Sequence, residues 1–260
     1  MKRFGQARRR FPKVEMLEGR ILMAAPVLDA LAGLSVPANK SRILPLTATD
    51  TDGNALTYSV SSSNGSVNAT ILHSGVDLQF TVANYGVMTF QLLPEFAPTT
   101  VNTIVGLVNK GFYNGLTFHR VIPNFIIQGG DPKGDGTGGP GFQFDDEFNP
   151  EAIFSGSGQL AMANSGKDTN GSQFFVTLGA QRFLDFNHTI WGQLVRGFDV
   201  AQAIDNASTS GNASNAPNTP IVITSAAIVP DRTDAVLLNA ATRRGQAGRL
   251  PPAGQSPAAG

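Results

Sequence analysis

At 260 residues, with 41% hydrophobic and only 15% charged residues, the chain can bury one sizeable core together with smaller flanking pieces. Nineteen Lys and Arg balance nineteen Asp and Glu, so no net charge draws the molecule to nucleic acid or to an anionic membrane. The absence of cysteine excludes disulfides, thiolate catalysis and Cys-ligated zinc or iron–sulfur centres. Twenty-nine Gly and seventeen Phe predict many turns around a Phe-rich interior, a β architecture.

Residues 1–25 carry Lys2, Arg3, Arg8, Arg9, Arg10 and Lys13 and then an apolar stretch interrupted by Glu15, Glu18 and Arg20. This fits a standard signal peptide poorly. The segment LEGRILMA (17–24) resembles the L-E-x-R-x-L-L tag of exported and surface proteins of some bacteria. That resemblance implies export to the periplasm, cell surface or medium; a basic leader on a cytoplasmic protein is the alternative. No run approaches the roughly 18 apolar residues needed to span a bilayer.

Residues 26–81 alternate short apolar runs with Ser, Thr, Asn and Gly, a short β-rich segment. The runs 43–47 and 55–60 flank the turn-rich hexapeptide 49–54 and predict a hairpin. TATDTDGNALTYSV (47–60) resembles part of the cadherin-like or Ig-like repeats of bacterial surface proteins, in which D-x-D-G sits at a calcium site. Asp50 and Asp52 alone do not supply the six to eight oxygens of a calcium shell, so a plain turn stands beside the calcium reading.

Beyond residue 82 the pattern sharpens. Residues 87–92 read as a strand ending at Pro94. Pro98 then opens a helix in which Val101, Ile104, Val105 and Val108 recur on one face, and Gly111 stops it. In FHRVIPNFIIQGGDP (118–132), Arg120 and Gln128 lie inside an otherwise apolar strand pattern, which calls for either an ion pair or a functional cleft. In NGSQFFVT (170–177), period-two alternation puts Gln173, Phe175 and Thr177 on one face and Phe174 and Val176 on the other. RFLDFNHTIWGQL (182–194) reads as an aromatic-rich loop followed by a strand, and a helix at 198–204 and a strand at 221–229 complete the series.

Those three motifs, in this order, resemble the signatures of the cyclophilin family of peptidyl-prolyl cis/trans isomerases over residues 82–229. The resemblance implies a closed eight-stranded antiparallel β-barrel capped by two helices, with substrate on an outer face. It implies acceleration of rotation about X–Pro bonds, whose barrier of about 18–20 kcal/mol arises from delocalisation of the nitrogen lone pair. No nucleophile, metal or cofactor is needed. By similarity, Arg120 donates to the prolyl nitrogen, Gln128 orients it, and Phe125 and His188 complete the catalytic group. Ile126, Phe175 and Leu184 line the proline pocket, Asn164 binds substrate through its backbone, and Ala163, Ser165 and Gln173 shape the adjoining groove. Three positions depart from the common pattern: Ile126 for Met, Ser165 for Ala, and Phe183 for the Trp that contacts cyclosporin. Phe lacks the indole N–H, so proline-containing polypeptides are the expected partners and cyclosporin a weakened one. A monomer is expected. A non-catalytic proline-binding module and a structural surface protein are the alternatives from other classes.

The remaining motifs carry less. GDGTGG (134–139) satisfies G-x-G-x-x-G but opens no helix, which rejects dinucleotide binding. His73, His119 and His188 are too scattered for a metal site, and Asp145, Asp146 and Glu147 read as a solvated turn. Residues 230–260 end in RLPPAGQSPAAG and read as a disordered tail.

Overall fold

The computed structural model describes residues 27–28, 41–46, 48–49, 59–60, 67–72, 75–207, 209, 211, 215–230 and 234–240, the last of these as backbone. The basic leader, the Asp50/Asp52 turn and residues 241–260 lie outside the described residues.

Alternating apolar residues in β5 (Val76–Val82) and β6 (Gly86–Leu92) pair through a turn in which Asn84 takes a left-handed φ of 64°. The helix α1 (Pro98–Asn109) follows, with Pro at its start as expected. Then come β7 (Arg120–Ile122), β8 (Ile126–Gly129), β9 (Gln159–Met162), β10 (Phe174–Thr177), β11 (Ile190–Arg196), α2 (Phe198–Asp205) and β12 (Ile223–Pro230). These strands form one antiparallel sheet of eight in the order β12-β5-β6-β11-β9-β10-β8-β7, with the helices packed on it.

The expected closed barrel is corrected here, because the outermost strands β12 and β7 share no ladder. An isolated bridge between Thr117 and Val222, with Phe118 N donating to Ile221 O at 2.9 Å and Ile223 N to Leu116 O at 2.8 Å, spans the seam. β7 has only three residues, and the bonds across the seam come instead from the irregular stretch before it, where Gly115 N also donates to Ile223 O at 2.7 Å. The sheet is an open, barrel-like half-cylinder.

Its concave side holds the main core. Phe80 stacks on Phe174 with centroids 5.0 Å apart, Phe118 and Tyr113 meet Phe174 edge-on, and Trp191 is fully buried. Val101, Ile104 and Val108 of α1 join this core while Val105 is only partly buried. Gly197 is obligatory: its φ is 86°, and a Cβ there would meet the Val87 carbonyl at 2.3 Å.

A second, three-stranded sheet has the order β2-β13-β4, built from β2 (Ser41–Leu46), β4 (Val67–Leu72) and β13 (Asp234–Ala240). A two-residue pair, β1 (Val27–Leu28) with β3 (Ala48–Thr49), lies beside it in sequence. The reading of 230–260 as disordered is therefore corrected for 234–240. The run Ala235 to Leu238 finds its partners in the distant strands β2 and β4, a pairing hidden from a reading that averaged it with the Pro- and Gly-rich end. Likewise β2 pairs with β13; most of its expected hairpin partner, 55–60, lies outside the described residues. The eight-stranded sheet also begins with Val76, inside the stretch 26–81 assigned to the β-rich segment.

Candidate active site

A turn at Pro123 and Asn124, the latter left-handed with φ 58°, folds β7 back on β8 and sets Arg120 opposite Gln128. The Arg120 Nη1 donates to Gln128 Oε1 at 3.2 Å, and Gln128 Nε2 donates to Gln173 Oε1 at 3.0 Å. Gln173 Nε2 in turn donates to the carbonyls of Gly136 and Gly138, at 3.0 and 2.8 Å. A row of planar amide groups thus runs from the guanidinium across β8 and β10 to the glycine loop. Among the described residues Arg120 makes no ion pair, which removes the structural explanation for a charge in this strand.

The alternation expected in β10 is observed. Phe174 and Val176 enter the main core, whereas Phe175 faces a second apolar cluster with Ile126, Phe154, Leu93, Phe96 and Ile190. Phe175 stacks on Phe154 at 5.8 Å and receives the His188 ring edge-on at 5.3 Å. Phe125 and Leu184 pack on the same cluster, and Phe183, 67% exposed, lies nearly parallel over Phe125 at 5.6 Å. The loop that presents Phe183 and Leu184 is a short 3-10 turn, Arg182–Leu184, fixed by Asp185, whose carboxylate accepts from Phe154 N at 2.8 Å and pairs with Arg182.

His188 Nδ1 lies 3.0 Å from the Met162 carbonyl. A carbonyl can only accept, so Nδ1 carries the proton and Nε2 of the neutral ring is left as an acceptor. Burial pushes the His188 pKa below 6.5, against opposing contributions from the Met162 carbonyl and Asp146.

Beside this aromatic pocket lies a polar groove of about 610 Å3, walled by Gln128, Ala163, Asn164, Ser165, Gln173 and the loop 136–143. Phe125, Phe175, Phe183, Leu184 and His188 are not part of it, so the expected site residues divide between an apolar cluster and a polar groove, with Gln128 on the groove wall and bonded to Arg120. The Asn164 side chain is spent on structure, donating to Asn187 O at 2.9 Å and Asp146 Oδ1 at 3.3 Å. Both bonds use the side-chain nitrogen, Nδ2. Ala163 N donates to Gln173 O at 3.0 Å, and Ser165 is exposed with its N–H given to Thr169 Oγ1.

Two features carry roles that sequence reasoning missed. The expected solvated turn at 145–147 is an anchor: Glu147 accepts from Thr99 N, Thr100 N and Thr100 Oγ1 at 3.0, 2.7 and 2.8 Å, capping α1. Burial alone would raise the Glu147 pKa, but these donors hold it below the ordinary carboxylate value. Asp146 accepts from Asn164 and Asn170 and from Asp168 N, fixing the groove wall. The glycine run wraps the Asp131 carboxylate, which accepts from Lys133 N at 2.8 Å and Gly136 N at 2.6 Å. A Cβ at Gly138 would lie 2.0 Å from Asp131 Oδ1, so Gly138 leaves room for this internal carboxylate. The signal for both was present as acidic residues flanking turn residues, without a partner visible in sequence.

The family model described as "Cyclophilin type peptidyl-prolyl cis-trans isomerase/CLD" matches residues 77–228. The chain belongs to the cyclophilin-type peptidyl-prolyl cis-trans isomerase family. It is 47% identical over 128 residues to peptidyl-prolyl cis-trans isomerase-like 1 of Mus musculus, 48% of this chain and 77% of that one. It is 45% identical over 151 residues to peptidyl-prolyl cis-trans isomerase-like 2 of Gibberella zeae, 57% of this chain but 26% of that much longer protein. A crystal structure of a cyclophilin type isomerase from Cryptosporidium parvum matches with TM-score 0.57 at 35% identity, covering 60% of this chain and 98% of that one. A further crystal of that isomerase was obtained in the presence of the dipeptide Ala-Pro. The reaction of this cyclophilin domain is accordingly cis/trans isomerisation of the peptide bond preceding proline.

Proposed function

We propose that Arg120 is the catalytic donor and that the pocket of Phe125, Ile126, Phe175, Leu184 and His188 holds the proline ring of a polypeptide. The observation that carries this is a half-buried guanidinium that makes no ion pair among the described residues, oriented by Gln128 at 3.2 Å beside an apolar pocket. As the X–Pro bond twists, the nitrogen lone pair leaves conjugation and becomes a hydrogen-bond acceptor; a planar donor already in place stabilises that state more than either planar ground state. No proton changes hands. Asn164 holds the chain on one side of the bond through its backbone, Ala163, Ser165 and Gln173 shape the groove beside it, and Phe183 shields Phe125 from solvent. The clients we assign are exported proteins, a reading supported by the basic LEGRILMA leader. Cyclosporin would bind with reduced affinity, because Phe183 has no N–H to donate.

In a protease-coupled isomerisation assay, Arg120→Ala should lower kcat/KM by about two to three orders of magnitude, as for loss of one preorganised donor, at unchanged circular dichroism. Equal activity in parent and variant rejects Arg120 as the donor.

A further inference from the structure

On the rim of the site, Phe186 and Phe148 meet edge to face with centroids 6.4 Å apart and ring planes at 87°. Both stay in water, at 51% and 42% exposure. Phe186 does so from a left-handed backbone, φ 57°, where a bulky side chain is disfavoured and Gly or Asn would fit without cost. A ring half in solvent offers folding little to offset that strain, so its benefit lies elsewhere. The pair is continuous with the groove wall. Asn164 bridges Asp146 Oδ1 and Asn187 O; Phe148 follows two residues after Asp146, Phe186 directly precedes Asn187, and His188 comes next with its ring against Phe175.

We propose that Phe148 and Phe186 form an aromatic clamp that selects client polypeptides carrying an aromatic or aliphatic side chain near the isomerised proline. This rests on the isomerase site described above and adds a specificity element to it. A client held by Arg120 and the proline pocket passes the rim at Asn187, and an apolar side chain there removes from water ring surface that the free protein leaves exposed.

The test uses fluorescein-labelled Ala-Pro peptides with Phe or Gln at each of the three positions on either side of the dipeptide. Parent, Phe186→Tyr and the double variant Phe148→Ala/Phe186→Asn are compared by kcat/KM and by Kd from fluorescence anisotropy. Asn suits the left-handed backbone, so the loop keeps its path while the ring is lost. The parent should prefer Phe over Gln by about tenfold at one or more positions. Phe186→Tyr should keep that preference, and the double variant should reduce it to about twofold or less. A parent without preference at any position, or a double variant that retains it, overturns the clamp. A parent inactive on every peptide overturns the isomerase reading alone, since the Kd preference still decides the clamp.

Discussion

In the eight-stranded sheet β5 pairs with β6 and β7 with β8 across short turns, whereas the three-stranded sheet takes its middle strand, β13, from the far end of the chain and sets it between β2 and β4. The first needs few long loop closures before its pairing begins. The second forms only when both flanks of the isomerase unit are already near each other, which favours its assembly after the larger sheet. The two nevertheless share a core. Ile43 of β2 and Leu72 of β4 belong to the apolar cluster of Phe154, Phe175 and Ile126, and Gln91 Nε2 donates to the Leu72 carbonyl. The small sheet thus backs the apolar cluster of Phe154, Phe175 and Ile126, while the main core of Phe80, Phe174 and Trp191 lies on the other side of the same strands.

The sharpest test of that division is strand β10, whose adjacent Phe residues face the two cores. Phe174→Ala should cost about 3–5 kcal/mol of stability by urea unfolding, the usual loss for a fully buried Phe. Phe175→Ala should cost less and instead lower kcat/KM, mainly through KM, because the pocket keeps its other walls. If Phe175→Ala unfolds the domain and Phe174→Ala does not, the two faces have been exchanged.

Next in size is the link between the sheets. Ile43→Ala and Leu72→Ala should each destabilise by about 2–3 kcal/mol, the lower part of the range for a buried aliphatic side chain. Through Phe154 and Phe175 they should also lower kcat/KM severalfold, although neither residue is expected to touch substrate. Stability lost with kcat/KM unchanged would show that the small sheet merely adheres to the isomerase domain.

The contrast between the regions also explains what could be read from sequence. Arg120, Gln128, Phe175 and His188 sit in dense motifs, and period-two alternation in 173–177 assigned both faces of β10 correctly because each face is buried on a separate apolar cluster. Glu147 was legible as acidic but not as a cap, since its partners Thr99 and Thr100 precede it by a whole helix and two strands. The pairing of β13 with β2 left no local signal at all. Closure of the large sheet was expected from the resemblance and not from the residues, and nothing local in the sequence showed that residues 115–118 would meet 221–223 by single bonds and an isolated bridge instead of a ladder.

A smaller effect separates the regions by pH. His119 and His188 both belong to the eight-stranded unit, and burial holds each pKa below 6.5, for His119 against the pull of Asp131. Below pH 6.5 the unfolded chain therefore binds more protons than the folded one, so stability is full above that pH and declines as the pH drops below it. Each histidine adds at most about 1.4 kcal/mol per pH unit to the slope. Chemical denaturation between pH 7.5 and 5.5 measures it, with His188→Gln expected to flatten the decline. A decline of equal slope in His188→Gln would assign the proton uptake to other groups.

The smallest expected effect uses the one tryptophan and tests whether the 182–188 loop is placed as described. Trp191 is fully buried in the main core, on the side of the sheet away from the Phe175 cluster, while Phe183 lies exposed over Phe125 at the edge of that cluster. Cyclosporin should therefore leave the emission of the parent nearly unchanged. Phe183→Trp places an indole at the pocket edge, where it adds contact area and a donor; it should tighten the complex by about 0.5–1.5 kcal/mol, one neutral hydrogen bond, and create a ligand-sensitive signal. Titration calorimetry and emission spectra on the same samples decide it. A large emission change in the parent would mean that ligand binding reaches the main core, and the separation of the two apolar clusters by the sheet would no longer hold. Equal affinities with an unresponsive new indole would place Phe183 outside the binding edge, and the assignments of Leu184 and His188 on the same loop would fall with it.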